Sequence, residues 1–187
     1  MTTDTATHWP RTIWSEAGQI NRLNGRRQLG DESVSPTAYF QWLLAEEHDR
    51  EAALFLAQAL TRYEAVAWAA QMIALTPSPT PAARSAFETA QAWLADPSEP
   101  RRRAAGEQAI AIIPPEAESL CALAAFHTGG SIAPPEQPPM PPSRGAAGRF
   151  AGAAVIAAAA RAHHPADLLR QALDEGARLA SRMEIAP

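Results

Sequence analysis

Six of the nine residues from Pro134 to Pro142 are proline. Such a segment cannot continue a helix or enter the middle of a sheet, because proline lacks the amide donor and clashes with the preceding turn. The residues before it, Phe126-His127-Thr128-Gly129-Gly130-Ser131-Ile132-Ala133, place a glycine pair where a helix would stop. The expected form is an extended polyproline II strap running to Ser143. It divides the chain into helical parts on either side. An exposed, preformed strap is also a natural surface for contact with another protein.

Elsewhere the sequence is punctuated by helix starts. Ser35-Pro36 and Thr80-Pro81 each set a capping hydroxyl before a first-turn proline. Thr61-Arg62-Tyr63-Glu64 is a capping box, and Asp96-Pro97-Ser98-Glu99 repeats the order of cap, proline and glutamate. Tyr39, Phe40, Trp42 and Leu43 recur three and four apart, which makes one buried stripe. His164-Pro165 opens a last helix, and no segment alternates with period two. The expectation is an all-α fold. About eight short-to-medium helices form one irregular bundle over residues 35–183, with the strap (134–142) between the sixth and seventh. Residues 1–34 are expected to be an irregular N-terminal arm, with Asn24-Gly25 as a turn.

A chain of 187 residues can bury one substantial core. Apolar residues make up 47% of it, but alanine dominates them, so the larger side chains must anchor the core. The candidates are Trp42, Leu43, Phe55, Leu56, Trp68, Phe87, Trp93, Leu120, Leu123 and Phe126. Gly148 and Gly152 lie one turn apart and permit a close approach between helices.

The net charge of −4 argues against a nucleic-acid partner, which requires a positive footprint. All 16 basic residues are arginine. The most apolar stretch, Phe150 to Ala160, would span roughly 17 Å as a helix, well short of the roughly 30 Å of a bilayer core. No membrane insertion is expected. Met1 to Pro10 contains no apolar run of the secretory type, and Cys121 is the single cysteine, so a reducing cytoplasmic setting is expected. Cys121 sits in an apolar helical run and reads as a buried structural thiol.

Few clusters suggest chemistry. Glu46, Glu47, His48 and Glu51 form the densest polar group, but a helix boundary at His48 breaks the register a metal site would need. His163 and His164 are adjacent and point about 100° apart. Cys121 and His127 do not share a helix face. Thr128-Gly129-Gly130-Ser131 lacks the lysine and the preceding strand of a phosphate loop. Arg101, Arg102 and Arg103 oppose the helix macrodipole slightly, so they serve a solvated face or an anionic partner surface. Trp9 and Trp14, in the irregular arm, are candidate docking anchors. No catalytic residue, metal or cofactor is assigned.

One ordered set of cues resembles a known family. It comprises Pro36-Thr37-Ala38-Tyr39 before Leu43-Leu44, Ala57-Gln58-Ala59-Leu60 before Arg62, Glu64-Ala65-Val66 and Trp68, then Ala92-Trp93 before Pro97 and Arg102. Ala124-Ala125-Phe126, Gly129-Gly130-Ser131, Ala133-Pro134-Pro135 and Pro141-Pro142 follow. These cues cover roughly residues 36–182 and are similar to an uncharacterised bacterial family of small helical proteins. His127-Thr128 stand where that family's pattern has a tryptophan and a serine. The resemblance implies an all-helical domain of unknown function with members near type VI secretion genes. That in turn implies an accessory, adaptor or chaperone-like role without a catalytic residue.

The expectation is therefore a non-enzymatic protein-binding factor whose partner is another protein, such as a secretion component or effector. The residues expected to meet that partner are Trp9, Trp14, Arg101, Arg102, Arg103, His127, Pro134, Pro135, Pro138, Pro139, Pro141 and Pro142. An immunity protein for a neighbouring toxin is one alternative. A small metal-binding enzyme using Glu46 to Glu51 is another.

Overall fold

The computed structural model describes residues 9–25 and 29–182. Among them lie nine helices and no strand: α1 (Ala17–Asn24), α2 (Pro36–Ala45), α3 (Asp49–Ala59), α4 (Arg62–Ile73), α5 (Pro81–Ala95), α6 (Glu99–Ile110), α7 (Ala117–Phe126), α8 (Ala146–Ala160) and α9 (Pro165–Ser181). The all-α class is as expected. Among the described residues no helix is long and apolar enough to cross a membrane.

Most helix starts follow the local chemistry of their caps. Ser35 Oγ accepts from the Ala38 amide, and Thr80 Oγ1 from the Ala83 amide. Thr61 and Glu64 form the reciprocal box. The start of α6 differs from expectation. Its cap residue is Ser98, while Asp96 ends α5 and accepts from the Arg101 side chain.

The additional helix is α1, inside the segment expected to be irregular. Glu16 and Gln19 form its capping box, and Gly25, at φ +61°, ends it in the left-handed conformation. The Asn24-Gly25 signal thus marks a helix end. Ala17 and Ile20 are fully buried. Trp9 is also in the core, 1% exposed, with its ring 5.1 Å from Phe40 and 6.4 Å from Phe55. Trp9 is therefore not a free docking anchor. Its burial ties the N-terminal segment to α2 and α3.

The alanine-rich α8 packs against α3, α4, α7 and α9. Small side chains allow that central place. A Cβ at Gly148 would lie 2.5 Å from Gln58 Oε1 and 3.0 Å from the Ala57 carbonyl of α3. Larger residues then anchor the core from the other helices. Trp68 is fully buried and donates its indole N–H to the Ala172 carbonyl of α9 at 2.8 Å. Cys121 is enclosed, and burial followed by the nearby Glu118 charge pushes its thiol to about 12, so it is inert at neutral pH.

One buried ion pair crosses this packing. Glu118, in the first turn of α7, is 0% exposed and accepts two bonds from Arg161 at 2.6 and 2.7 Å. Arg161 also donates to Thr76 Oγ1 at 3.0 and 2.8 Å. Burial raises the Glu118 carboxyl, but hydrogen bonds from Arg161 and Ser78 outweigh it and hold it below its ordinary 4.5. A depressed folded-state value stabilises above the unfolded value and ceases to do so as pH falls through the folded one. Arg161→Ala should therefore lower the unfolding free energy by about 3 kcal/mol near pH 7. The difference from the native chain should shrink below pH 4.5, as read from urea titrations at several pH values.

Candidate functional site

The proline segment has only three residues with an amide between Pro134 and Pro142: Glu136, Gln137 and Met140. Two of them fold it back on itself. The Gln137 amide donates to the Pro134 carbonyl at 3.0 Å, and the Met140 amide to Ser131 Oγ at 3.0 Å. Ile132 closes the base by donating to the Met140 carbonyl at 2.8 Å, and Ser131 Oγ also accepts from the Ala133 amide at 3.1 Å. The segment is thus a compact loop of the Ω kind rather than an extended strap. Its tip is exposed. Pro134, Pro135, Pro138, Pro139 and Pro141 face solvent, and Pro142 is half-buried.

The carbonyls at the foot of the loop, those of Phe126, Ser131 and Ala133, take donors from outside it. The first turn of α6 supplies them. Arg102 is 4% exposed, so it is not part of a solvated face. It donates to both Glu99 oxygens at 2.6 and 2.7 Å, to the Ser131 carbonyl at 2.8 Å and to the Phe126 carbonyl. Its guanidinium lies 4.9 Å from the Phe126 ring centroid. Arg103 donates to Glu99 at 2.9 Å, to the Ala133 carbonyl at 3.1 Å and to Ser131 at 3.2 Å. These bonds from Arg102, opposed by partial burial and aided by Arg103, hold the Glu99 carboxyl below its ordinary value. Arg101 points away and pairs with Asp96 at 2.9 Å.

Gly130 fits the same latch. At φ +64° it is left-handed, and a Cβ there would lie 2.9 Å from Arg102 Nη2 and from Glu99 Oε2. The glycine pair is thus more than a helix stop, since one member admits the guanidinium. His127 lies at the loop base, half-buried, with its ring 4.8 Å from Phe150 and 5.1 Å from Phe126. Its Nδ1 is 2.8 Å from the Leu123 carbonyl. Burial lowers its pKa, against the Leu123 bond and with help from Arg102 and Arg149, so the ring is neutral at pH 7.

A cleft of about 270 Å³ opens beside the two ends of the loop. Arg62 donates to the Thr128 carbonyl at 2.6 Å at the entry, and Arg144 follows Ser143 at the exit; both line the cleft. Ile13 and Trp14 form part of its wall, with Leu23 and Leu60. Trp14 is half-buried and donates its indole N–H to the Gln58 carbonyl at 3.3 Å, while Ile13 is 85% exposed. Of the expected partner-binding residues, Arg102, Arg103 and His127 gather at the loop base and five of the prolines are displayed on it. Trp14 borders the cleft, while Trp9 is buried elsewhere. Arg62, Arg144 and Ile13 are new. The capping box fixes Arg62 just inside the start of α4, but no sequence pattern joins it to Arg144.

The family of unknown function DUF6931 matches residues 39–180. The chain belongs to that family. The DUF6931 match spans the arginine latch, the proline loop and helices α3 to α8, and omits the segment that supplies Trp9, Ile13 and Trp14. No curated protein and no solved structure matches the chain.

The Glu46 to Glu51 cluster falls on the junction between α2 and α3. Glu46 ends α2, Glu47 adopts φ +58°, and His48 precedes α3 with its ring 5.8 Å from Trp42. Among the described residues no three His, Cys, Asp or Glu side chains gather where an ion could sit.

The different burial of the two latch arginines is testable. Arg102→Gln should lower stability by about 2–4 kcal/mol, because it leaves the Phe126 carbonyl without a charged donor and Glu99 without its buried partner. Arg103→Gln, whose side chain is 26% exposed, should lower it by no more than about 1 kcal/mol. Chemical denaturation of both variants measures the contrast.

Proposed function

We propose that this DUF6931 protein is a non-enzymatic protein-binding factor that presents the 134–141 loop to another polypeptide. The observation behind this reading is the combination of a loop base latched by a buried arginine with a tip of exposed prolines. A loop already folded gives up little conformational freedom on binding, so more of its contact energy appears as affinity. The exposed rings of Pro134, Pro135, Pro138, Pro139 and Pro141 offer such a partner a rigid apolar surface. Met140, 52% exposed beside them, adds an adaptable apolar contact.

The sequence resemblance extends this to an adaptor or chaperone-like factor in a bacterial cytoplasm, serving a type VI secretion component or effector. The test uses the chain and a variant with residues 134–141 replaced by a Gly/Ser linker, each as bait at native expression in the host. A partner retained by the native chain and lost by the variant, with the same helical circular dichroism, is the expected result. Equal recovery by both baits contradicts the reading.

A further inference from the structure

We propose that the cleft beside the loop ends is a binding site for a carboxylate attached to an apolar group. Three features of the cleft agree on that chemistry.

The first is charge. Arg11, Arg62 and Arg144 line the cleft, and no acidic side chain does among the described residues. Arg11 is neutralised by Glu64 at 2.7 Å. Among the described residues Arg62 is engaged by the neutral Thr128 carbonyl and by no carboxylate. Arg144 is exposed and makes no hydrogen bond or ion pair among the described residues. Its planar fork is available for a bidentate carboxylate contact. The start of α8 adds to this field, because its cap residue Gly145 offers no side-chain acceptor and Gly148 of its first turn lies in the lining.

The second feature is the apolar wall of Ile13, Trp14, Leu23 and Leu60. A bare inorganic anion would leave that wall against water, whereas an acid with an apolar body covers it. The third is size. A volume of about 270 Å³ exceeds the roughly 150 Å³ engineered cavity that accepts benzene. A ring or branched chain with its carboxylate therefore fits.

Two sources supply such a group: a free acid, or the final apolar residue of a polypeptide. The second rests on the protein-binding reading above, since a chain docked on the loop reaches the cleft at Thr128 and Arg144. The free-acid source does not depend on it.

Calorimetric titration of the full chain with N-acetyl-L-phenylalanine, its carboxamide, and the peptide GSGSF with a free C-terminus tests the site. The acid should bind at one site with a Kd of about 1 mM or tighter. It should bind at least about tenfold tighter than the carboxamide. Arg144→Gln should weaken the acid about tenfold, and Ile13→Ser should weaken acid and carboxamide alike. Both positions are exposed, so the fold is kept, as circular dichroism verifies. A peptide that binds tighter than the acid identifies a chain end as the ligand; one that binds equally or more weakly identifies a free acid. The proposal is overturned if neither probe saturates below about 10 mM, if the carboxamide binds as well as the acid, or if Arg144→Gln changes nothing.

Discussion

The guanidinium of Arg102 joins three parts of the molecule: α6, the end of α7 and the foot of the proline loop. It stands in the first turn of α6, receives the last carbonyl of α7 from Phe126, and holds the Ser131 carbonyl at the foot of the proline loop. Phe126 O is one of the carbonyls that a helix end leaves without an internal partner. Ser131 O lies at the foot of the loop, where Arg102 and Arg103 both reach it. A lysine would bring the same charge but not the planar fork that serves two carbonyls and a carboxylate together. Glu99 completes the arrangement by pairing its one carboxylate with both Arg102 and Arg103. The unfavourable position of these cations near a helix N-terminus is thereby offset, since Glu99 lies between them and that terminus.

The same economy recurs in the core. Alanine side chains bury little area each, so α8 can sit close to its neighbours but gains modest hydrophobic stabilisation from each contact. Polar ties at the crossings then determine which helices meet. Arg161 binds Glu118 and Thr76, Trp68 binds the Ala172 carbonyl, and Gln58 donates to the Gly145 carbonyl at 2.9 Å. The last bond sets the first turn of α8 against α3, and with it one side of the cleft.

Much of this architecture was legible in local chemistry. Cap hydroxyls before prolines placed α2 and α5, the Thr61–Glu64 capping box placed α4, and the glycine and proline runs placed the loop after α7. Apolar spacing identified Leu43 as core, and side-chain size among alanines identified Phe55, Leu56 and Trp68. Features that depend on distant residues were not legible. Trp9 shows no periodicity around it, and only the tertiary fold brings it between Phe40 and Phe55. The arginine run looks like a solvated face because its sequence does not reveal that Arg102 meets a carbonyl 29 residues away. The strap was expected to be extended because its prolines favour that form. The amides of Gln137 and Met140, the Ile132 amide and the Ser131 hydroxyl were enough to turn it back. The cleft draws on residues from Arg11 to Gly148, and no motif spans that distance.

A buried guanidinium holds the proline loop in one conformation. Amide hydrogen exchange followed by NMR measures this directly, in the native chain and in Arg102→Lys. The latch predicts that Ile132 and Met140 exchange roughly tenfold to a hundredfold more slowly than Glu136 in the native chain, and that this protection is lost with lysine at position 102. Exchange of Ile132 and Met140 as fast as Glu136 in the native chain would contradict it, as would protection unchanged in the lysine variant.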